Sequence, residues 1–189
     1  MAAVSPDSVE LAGRLGLGML SLTIMQPVDE LAKRIAIYRE ASANCTDPIT
    51  RVKNNKAAPY TLVHCVESME QAESYDVWGS VGWWYDHMAQ FIIDWELPPN
   101  MPQEEIEKAF PRLRQVQAGK VDPKFFNDQD MVIIGEPEEC LEKLARYQEI
   151  GCDSVICYMQ FGQLKHNEIM ESIETLGKHV IPTLEQRAE

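Results

Sequence analysis

The last sixty residues of the chain constrain its fold more than any other stretch, because they alternate strand-like and helical periods with little between them. Met131-Val132-Ile133-Ile134-Gly135 is a short extended piece, and Glu136-Pro137-Glu138-Glu139 then places a proline and acids in a first helical turn, where a missing N–H costs nothing and the helix dipole favours negative charge. The helix that follows carries Cys140, Leu141, Leu144 and Tyr147 on one side and stops at Gly151, the residue best suited to the left-handed position past a helix end. Ser154 to Met159 is the next strand, and after Gly162 a closing helix carries Ile169, Ile173, Leu176 and Val180. Helix, short loop, apolar strand, loop, helix is the βα repeat of a parallel sheet or barrel.

The same alternation runs through the earlier part. Ser5-Pro6-Asp7-Ser8 precedes the apolar-periodic Val9, Leu11, Ala12 and Leu15 and predicts a helix from Ser5 to near Gly16, with Ser5 as cap. Leu17 to Ile24 is a short apolar run that predicts a buried parallel strand. A helix follows from Gln26-Pro27-Val28-Asp29, and Tyr60 to Val66 is a second strand. Glu67-Ser68 caps a long predicted helix from about Met69 to Asp94. The stretch from Trp95 to Asp130 departs from the pattern: Pro98, Pro99, Pro102, Pro111 and Pro123 break it, and one short helix is predicted at Glu104 to Phe110. A connection of this length is either a cover over a site or a surface insertion.

Composition excludes several functions. With 17 basic against 30 acidic residues the formal net charge is -13, which opposes nucleic acid and anionic membranes as main partners. Five cysteines, odd in number and without a CxxC pair, predict buried free thiols in a reducing cytoplasm. There is no apolar run of membrane-spanning length and no signal-peptide pattern, so no membrane association is expected. At 189 residues the chain reads as one domain. The helix start at Ser5 also gathers hydroxyls and backbone N–H groups suited to a phosphate, and as an α/β turn it calls for a strand in front of it, upstream of Met1.

Four stretches in order, AAVSPDSVELAGRLGLGML, YTLVHCVES, GWWYDHM and IIGEPEECLEKLARYQEIGCDSVICYMQFGQLKHNEIMESIETLGKHVIP, resemble the bacterial luciferase-like flavin-dependent monooxygenases. The resemblance implies the carboxyl-terminal half of a TIM (β/α)8 barrel, with about three barrel strands, Gly18 to Thr23, Tyr60 to Val66 and Ser154 to Met159. Residues 1–189 form that portion and 95–130 an inserted segment. A barrel needs about 250 residues to close, so an open half would expose strand edges and an apolar inner face, and a homo-oligomer or association with the missing half is expected.

The resemblance further implies reduced FMN, or a deazaflavin, as cofactor, and a small organic substrate, O2 and a flavin reductase as partners. The alternative is a non-catalytic flavin-binding fragment or a stabilising subunit. The phosphate-binding serine of the family falls on Ser5, with Ser8 a hydroxyl one turn on and Ala3 and Val4 beside it; Val4 stands where luciferases carry an acid. Met19, Leu20 and Ser21 fall on the next strand, which in the family lies near the flavin ring, and form either its apolar wall or packed barrel interior. No catalytic residue is singled out. Of the histidines, His64 reads as a satisfied core residue, His166 as a cap or surface group, His179 as a favourable charge near a helix end, and His87 as part of a helix-packing aromatic run. None has metal-ligand spacing.

Overall fold

The computed structural model describes residues 1–23, 25–97, 99–110 and 112–187, with residues 95, 96 and 109 described by backbone alone. Ile24, Pro98 and Pro111, used above as a strand end and as breaks, lie outside the described residues. The first helix, α1 (Pro6–Arg14), is capped by Ser5, whose hydroxyl accepts from the Ser8 N–H, and Pro6 sits in its first turn. Strand β1 (Met19–Leu22) leads to α2 (Val28–Ala43), and β2 (Ala57–Cys65) follows. The two helices approach closely because Gly13 has no side chain: a Cβ there would lie 2.7 Å from the Tyr38 carbonyl and from the Ala41 side chain.

Between β2 and the next strand run α3 (Met69–Ser74), α4 (Val77–Phe91), a π-helical turn (Ile92–Glu96), α5 (Gln103–Ala109), α6 (Leu113–Gln117) and α7 (Lys124–Asp128). The long helix predicted over Met69 to Asp94 is therefore divided. Asp76 adopts a left-handed backbone, φ 49°, between α3 and α4, and its carboxylate lies over Gly79, where a Cβ would collide with it. The irregular stretch holds three short helices instead of one. After it come β3 (Val132–Gly135), α8 (Pro137–Glu149), β4 (Ile156–Tyr158), α9 (His166–Thr175), a second π-helical turn (Leu176–Val180) and α10 (Ile181–Gln186). Pro182 has no N–H to return to the carbonyl one turn back, so the helix widens before it.

All strand pairs are parallel. The sheet has four strands, and Met131 to Gly135, expected only as an extended piece, contributes one of them. Strand β2 is the hub. Its Tyr60 carbonyl accepts from the Thr23 N–H and its Val66 N–H donates to the Gly135 carbonyl, whereas its Ala57 carbonyl accepts from the Asp153 N–H. Alternate residues of a strand bond to opposite edges, so β3 takes over the edge that β1 leaves and β4 holds the other edge. On the far side of β1, Ala2 bridges Leu20 in parallel, with Ala3 N–H donating to the Leu20 carbonyl at 2.8 Å. The chain ahead of the α1 turn thus already borders the sheet, through the single bridge at Ala2.

One face of the sheet packs α1, α2, α8 and the closing helices through Met19, Val63, Cys65 and Ile133 against Val9, Leu31, Tyr38, Leu144 and Tyr147. The opposite face, the barrel interior by resemblance, carries Tyr60, Leu62, Val132 and Ile134. Trp78, Val81, Trp84, Tyr85 and Phe126 cover it in a second core, in which Tyr85 and Phe126 stack with ring centroids 3.7 Å apart. An uncovered inner face was expected. Its centre is closed by the segment between β2 and β3, while Leu20 (47 %), Ile156 (45 %) and Tyr158 (37 %) at its margins remain exposed.

Candidate functional site

The Ser5 turn follows the bridged residue Ala2 and lies toward the carboxyl ends of the parallel strands. Its hydroxyls form a closed local network: Ser5 Oγ donates to Ser8 Oγ at 3.0 Å, Ser8 Oγ donates to the Ser5 carbonyl at 2.9 Å and accepts from the Val4 N–H at 3.2 Å. Ser8 N–H goes to Ser5 Oγ and Val9 N–H to the Ser5 carbonyl. Pro6 has none, so Asp7 is left as the backbone donor of the first turn. Val4 and Ser5 are exposed and Ala3 is buried. Both hydroxyls are already engaged within the turn, so a phosphate here would require them to be re-aimed, and the Asp7 carboxylate in the same turn would oppose it.

On β1 the side chains divide between the two faces. Met19, 1 % exposed, belongs to the helix-side core with Val9 and Tyr38, so its side chain is withdrawn from any wall on the inner face; Ser21 is buried on the same side. Leu20, between them, points to the inner face. Spacing along a strand decides this, and the alternation was legible before the direction was.

His64 is the penultimate residue of the central strand and shares the inner face with Tyr60 and Leu62. Its side chain is 0 % exposed and neither ring nitrogen has a hydrogen-bond partner, so it is not the satisfied core histidine expected. The Phe161 ring meets it edge-on at 6.3 Å between centroids. Burial pushes its pKa down to about 4, against the pull of Glu168 and Glu171, so the imidazole is neutral. Glu168 is itself buried and accepts from the Lys165 N–H at 2.8 Å and from Lys165 Nζ at 3.2 Å. Burial raises its carboxyl, but these bonds and His64 outweigh that and hold it below its usual value.

The other histidines carry less. His166 opens α9, while Lys165 and Glu168 form the cap. His179 lies in the second π-helical turn. His87 stacks on the exposed Trp83 at 3.9 Å, whereas Trp84 and Tyr85 of the same run are buried. Among the described residues no group of three or more His, Cys, Asp or Glu is placed to hold a metal ion, and no helix is long and apolar enough to cross a membrane.

A buried polar network where the carboxyl end of β1 meets the amino end of β3, beside the middle of β2, was not foreseen. Thr23 and Thr61 Oγ1 both donate to the Met131 carbonyl, at 3.1 and 2.9 Å, and Tyr147 OH lies 3.2 Å from Thr23 Oγ1 and 2.9 Å from the Asp130 carbonyl. Asp130 is 4 % exposed, with φ 50°, and its carboxylate is held by Lys143 Nζ at 3.0 Å and by Arg146. Asn127 bonds both the N–H and the carbonyl of Ile134. The network fixes the returning end of the covering segment to β1, β2, β3 and α8. The sole signal for it in the sequence was polar residues in apolar surroundings.

The chain matches the luciferase-like monooxygenase family profile over residues 1–154. No curated protein sequence matches it. Similar solved structures include the oxygenating constituent of 3,6-diketocamphane monooxygenase from Pseudomonas putida, a type II Baeyer-Villiger enzyme in complex with FMN: identity is 18%, TM-score 0.61, and the match covers 97% of this chain and 48% of that one. A monooxygenase from Streptomyces bottropensis matches at 15% identity and TM-score 0.60, covering 96% and 47%. The coenzyme F420-dependent tetrahydromethanopterin reductase of Methanopyrus kandleri matches at 18% and 0.57, covering 97% and 50%. The chain spans about half the length of each of these structures, and at these identities the likeness is one of fold.

Proposed function

Since the chain belongs to the luciferase-like monooxygenase family, we propose that it is the carboxyl-terminal half of a TIM-barrel monooxygenase that uses reduced FMN, with its flavin site at the carboxyl ends of the parallel strands. The observation that carries this reading is the all-parallel sheet ending beside an exposed, serine-capped helix start, together with a buried, unpartnered His64 on the inner face. Ser5 and Ser8 would hold the phosphate through their hydroxyls, with the Asp7 N–H and the dipole of α1 behind them. Leu20 offers apolar surface to a ring on the inner face. The covering segment, including residues 95–130, would exclude water from it. Bound flavin supplies the oxygen-activating redox chemistry.

O2, a small organic substrate and a flavin reductase are the partners of this reading, and the five free thiols support a reducing, cytoplasmic setting. The chain by itself is proposed to have little or no turnover, as a flavin-binding half. Exposed Leu20 on β1 and exposed Ile156 and Tyr158 on β4 support pairing with a second copy or with another half barrel. A deazaflavin is the alternative cofactor, favoured by the F420-dependent reductase among the similar folds. Titration of the purified chain with FMN and with F420, followed by absorbance, tests the reading: saturable binding of either supports it, and binding of neither overturns it.

A further inference from the structure

We propose that the outward face of α4 is a docking surface for a second copy of this chain, the two helices crossing antiparallel about a two-fold axis at His87. The pairing of copies in the reading above is thereby given a place, and its failure leaves the flavin part of that reading standing.

The face itself is unusual for this chain. Trp83, His87 and Phe91 follow one another at intervals of four and all are exposed, Trp83 by 43 % and Phe91 by 45 %. The other side of α4, with Trp78, Val81, Trp84 and Tyr85, already packs in the core over the sheet. A helix that is apolar on both sides belongs between two layers, and the sheet supplies one of them. Two exposed aromatic rings on one stripe are the anchors by which proteins hold one another.

Electrostatics favours a second copy here. Each copy carries a formal net charge of -13, so two copies repel over most of their surfaces. In contrast, α4 holds a single acid, Asp86, which is half-buried, and no lysine, arginine or glutamate. Copies meeting at this stripe bring the least charge together.

Symmetry favours it as well. Residues four apart form the ridge used in the commonest class of helix packing, and Trp83 and Phe91 stand equally far from His87, about 6 Å along the axis. An antiparallel pair centred on His87 therefore sets Trp83 of each copy against Phe91 of the other, as an isologous contact requires. The stripe is also stiff. His87 stacks on Trp83 at 3.9 Å and its Nδ1 lies 2.6 Å from the Trp83 carbonyl; a carbonyl can only accept, so Nδ1 carries a hydrogen and the ring is held. Little side-chain freedom is left to lose on association. Finally, Trp84 lies 6.4 Å from Tyr158 between ring centroids, so the face adjoins the exposed margin at Ile156 and Tyr158, and one partner covers both.

Analytical ultracentrifugation of the full chain tests this with a charge pair. Trp83→Lys and Phe91→Glu should each weaken the wild-type dimer at least tenfold, because each brings an unpaired charge into the contact. The double variant, Trp83→Lys with Phe91→Glu, should recover part of that loss, since the two-fold sets the introduced lysine of one copy against the introduced glutamate of the other. Within one chain the two positions are about 12 Å apart along the helix, too far to pair. Independently, His87→Cys should form a disulfide-linked dimer under mild oxidation well beyond the wild-type background, and Ile173→Cys, on the exposed side of α9, should not. A monomeric wild type, or single variants that dimerise as the wild type does, overturns the α4 interface. A double variant no better than the weaker single one, with no link through position 87, overturns the antiparallel axis. FMN titration of the same samples reports on the flavin reading separately.

Discussion

Arg39 Nη2 donates to the Asp153 carboxylate at 2.7 Å, tying α2 to the turn that enters β4, across 114 positions of sequence. The same carboxylate accepts from Lys56 Nζ at 3.0 Å and from the Ala57 N–H at 2.7 Å, and Arg39 also reaches the Gly151 and Asn55 carbonyls. Three elements meet at one acid on the amino side of the sheet.

Burial pushes the Asp153 carboxyl up, but the bonds from Ala57, Arg39 and Lys56 outweigh it and hold the pKa below the ordinary aspartate value. A folded-state pKa below the unfolded one means that the unfolded chain takes up the proton first as pH falls. The contribution is therefore complete above about pH 4, the unfolded value, and is lost as pH drops through the folded one. Asp153→Ala should cost about 1.5–3 kcal/mol at neutral pH, and its melting temperature should fall less steeply below pH 4 than that of the wild type. Thermal denaturation followed by circular dichroism from pH 7 to 3 measures both; parallel curves would contradict the assignment.

Tyr147→Phe removes the hydroxyl that joins Asp130 to Thr23 and leaves a buried carbonyl short of a donor. The expected cost is about 1–3 kcal/mol. Because the network anchors residues 127–131, hydrogen exchange should quicken at Met131 and Ile134 more than at α1. Uniform quickening over the chain would mean that the bond serves overall stability and not the anchoring of the segment.

Self-association is expected through the exposed margin of the inner face. Sedimentation of the chain over a range of concentrations should reveal a dimer that Ile156→Lys or Tyr158→Glu weakens, since either places charge on the apolar margin. A wild-type chain that stays monomeric throughout would remove the margin as an interface.

How far the fold could be seen in the sequence depended on whether its cause was local. Ser5 as cap, the Glu136-Pro137 helix start and the stop at Gly151 are settled within one turn of chain, and all three are found. The break at Asp76 carries no proline and no glycine at the break itself, so helical periodicity runs straight through it. Strand β3 has four residues, all buried, and buried runs of that length have no alternation to identify them. The polar network and the unpartnered His64 depend on residues as far apart as Thr23 and Tyr147, and only packing brings these together. In the candidate site the turn was legible, while the direction of Met19 and the state of His64 were not.

The flavin site itself is tested most directly by comparing FMN with riboflavin, which lacks the phosphate, in fluorescence titrations of the wild-type chain and of Ser5→Ala. FMN should bind wild type at least tenfold more tightly than riboflavin, and Ser5→Ala should narrow that gap while lowering stability by about 1 kcal/mol as a lost cap. Equal affinities for the two flavins in the wild type, or a gap that Ser5→Ala leaves intact, would contradict a phosphate held at the start of α1.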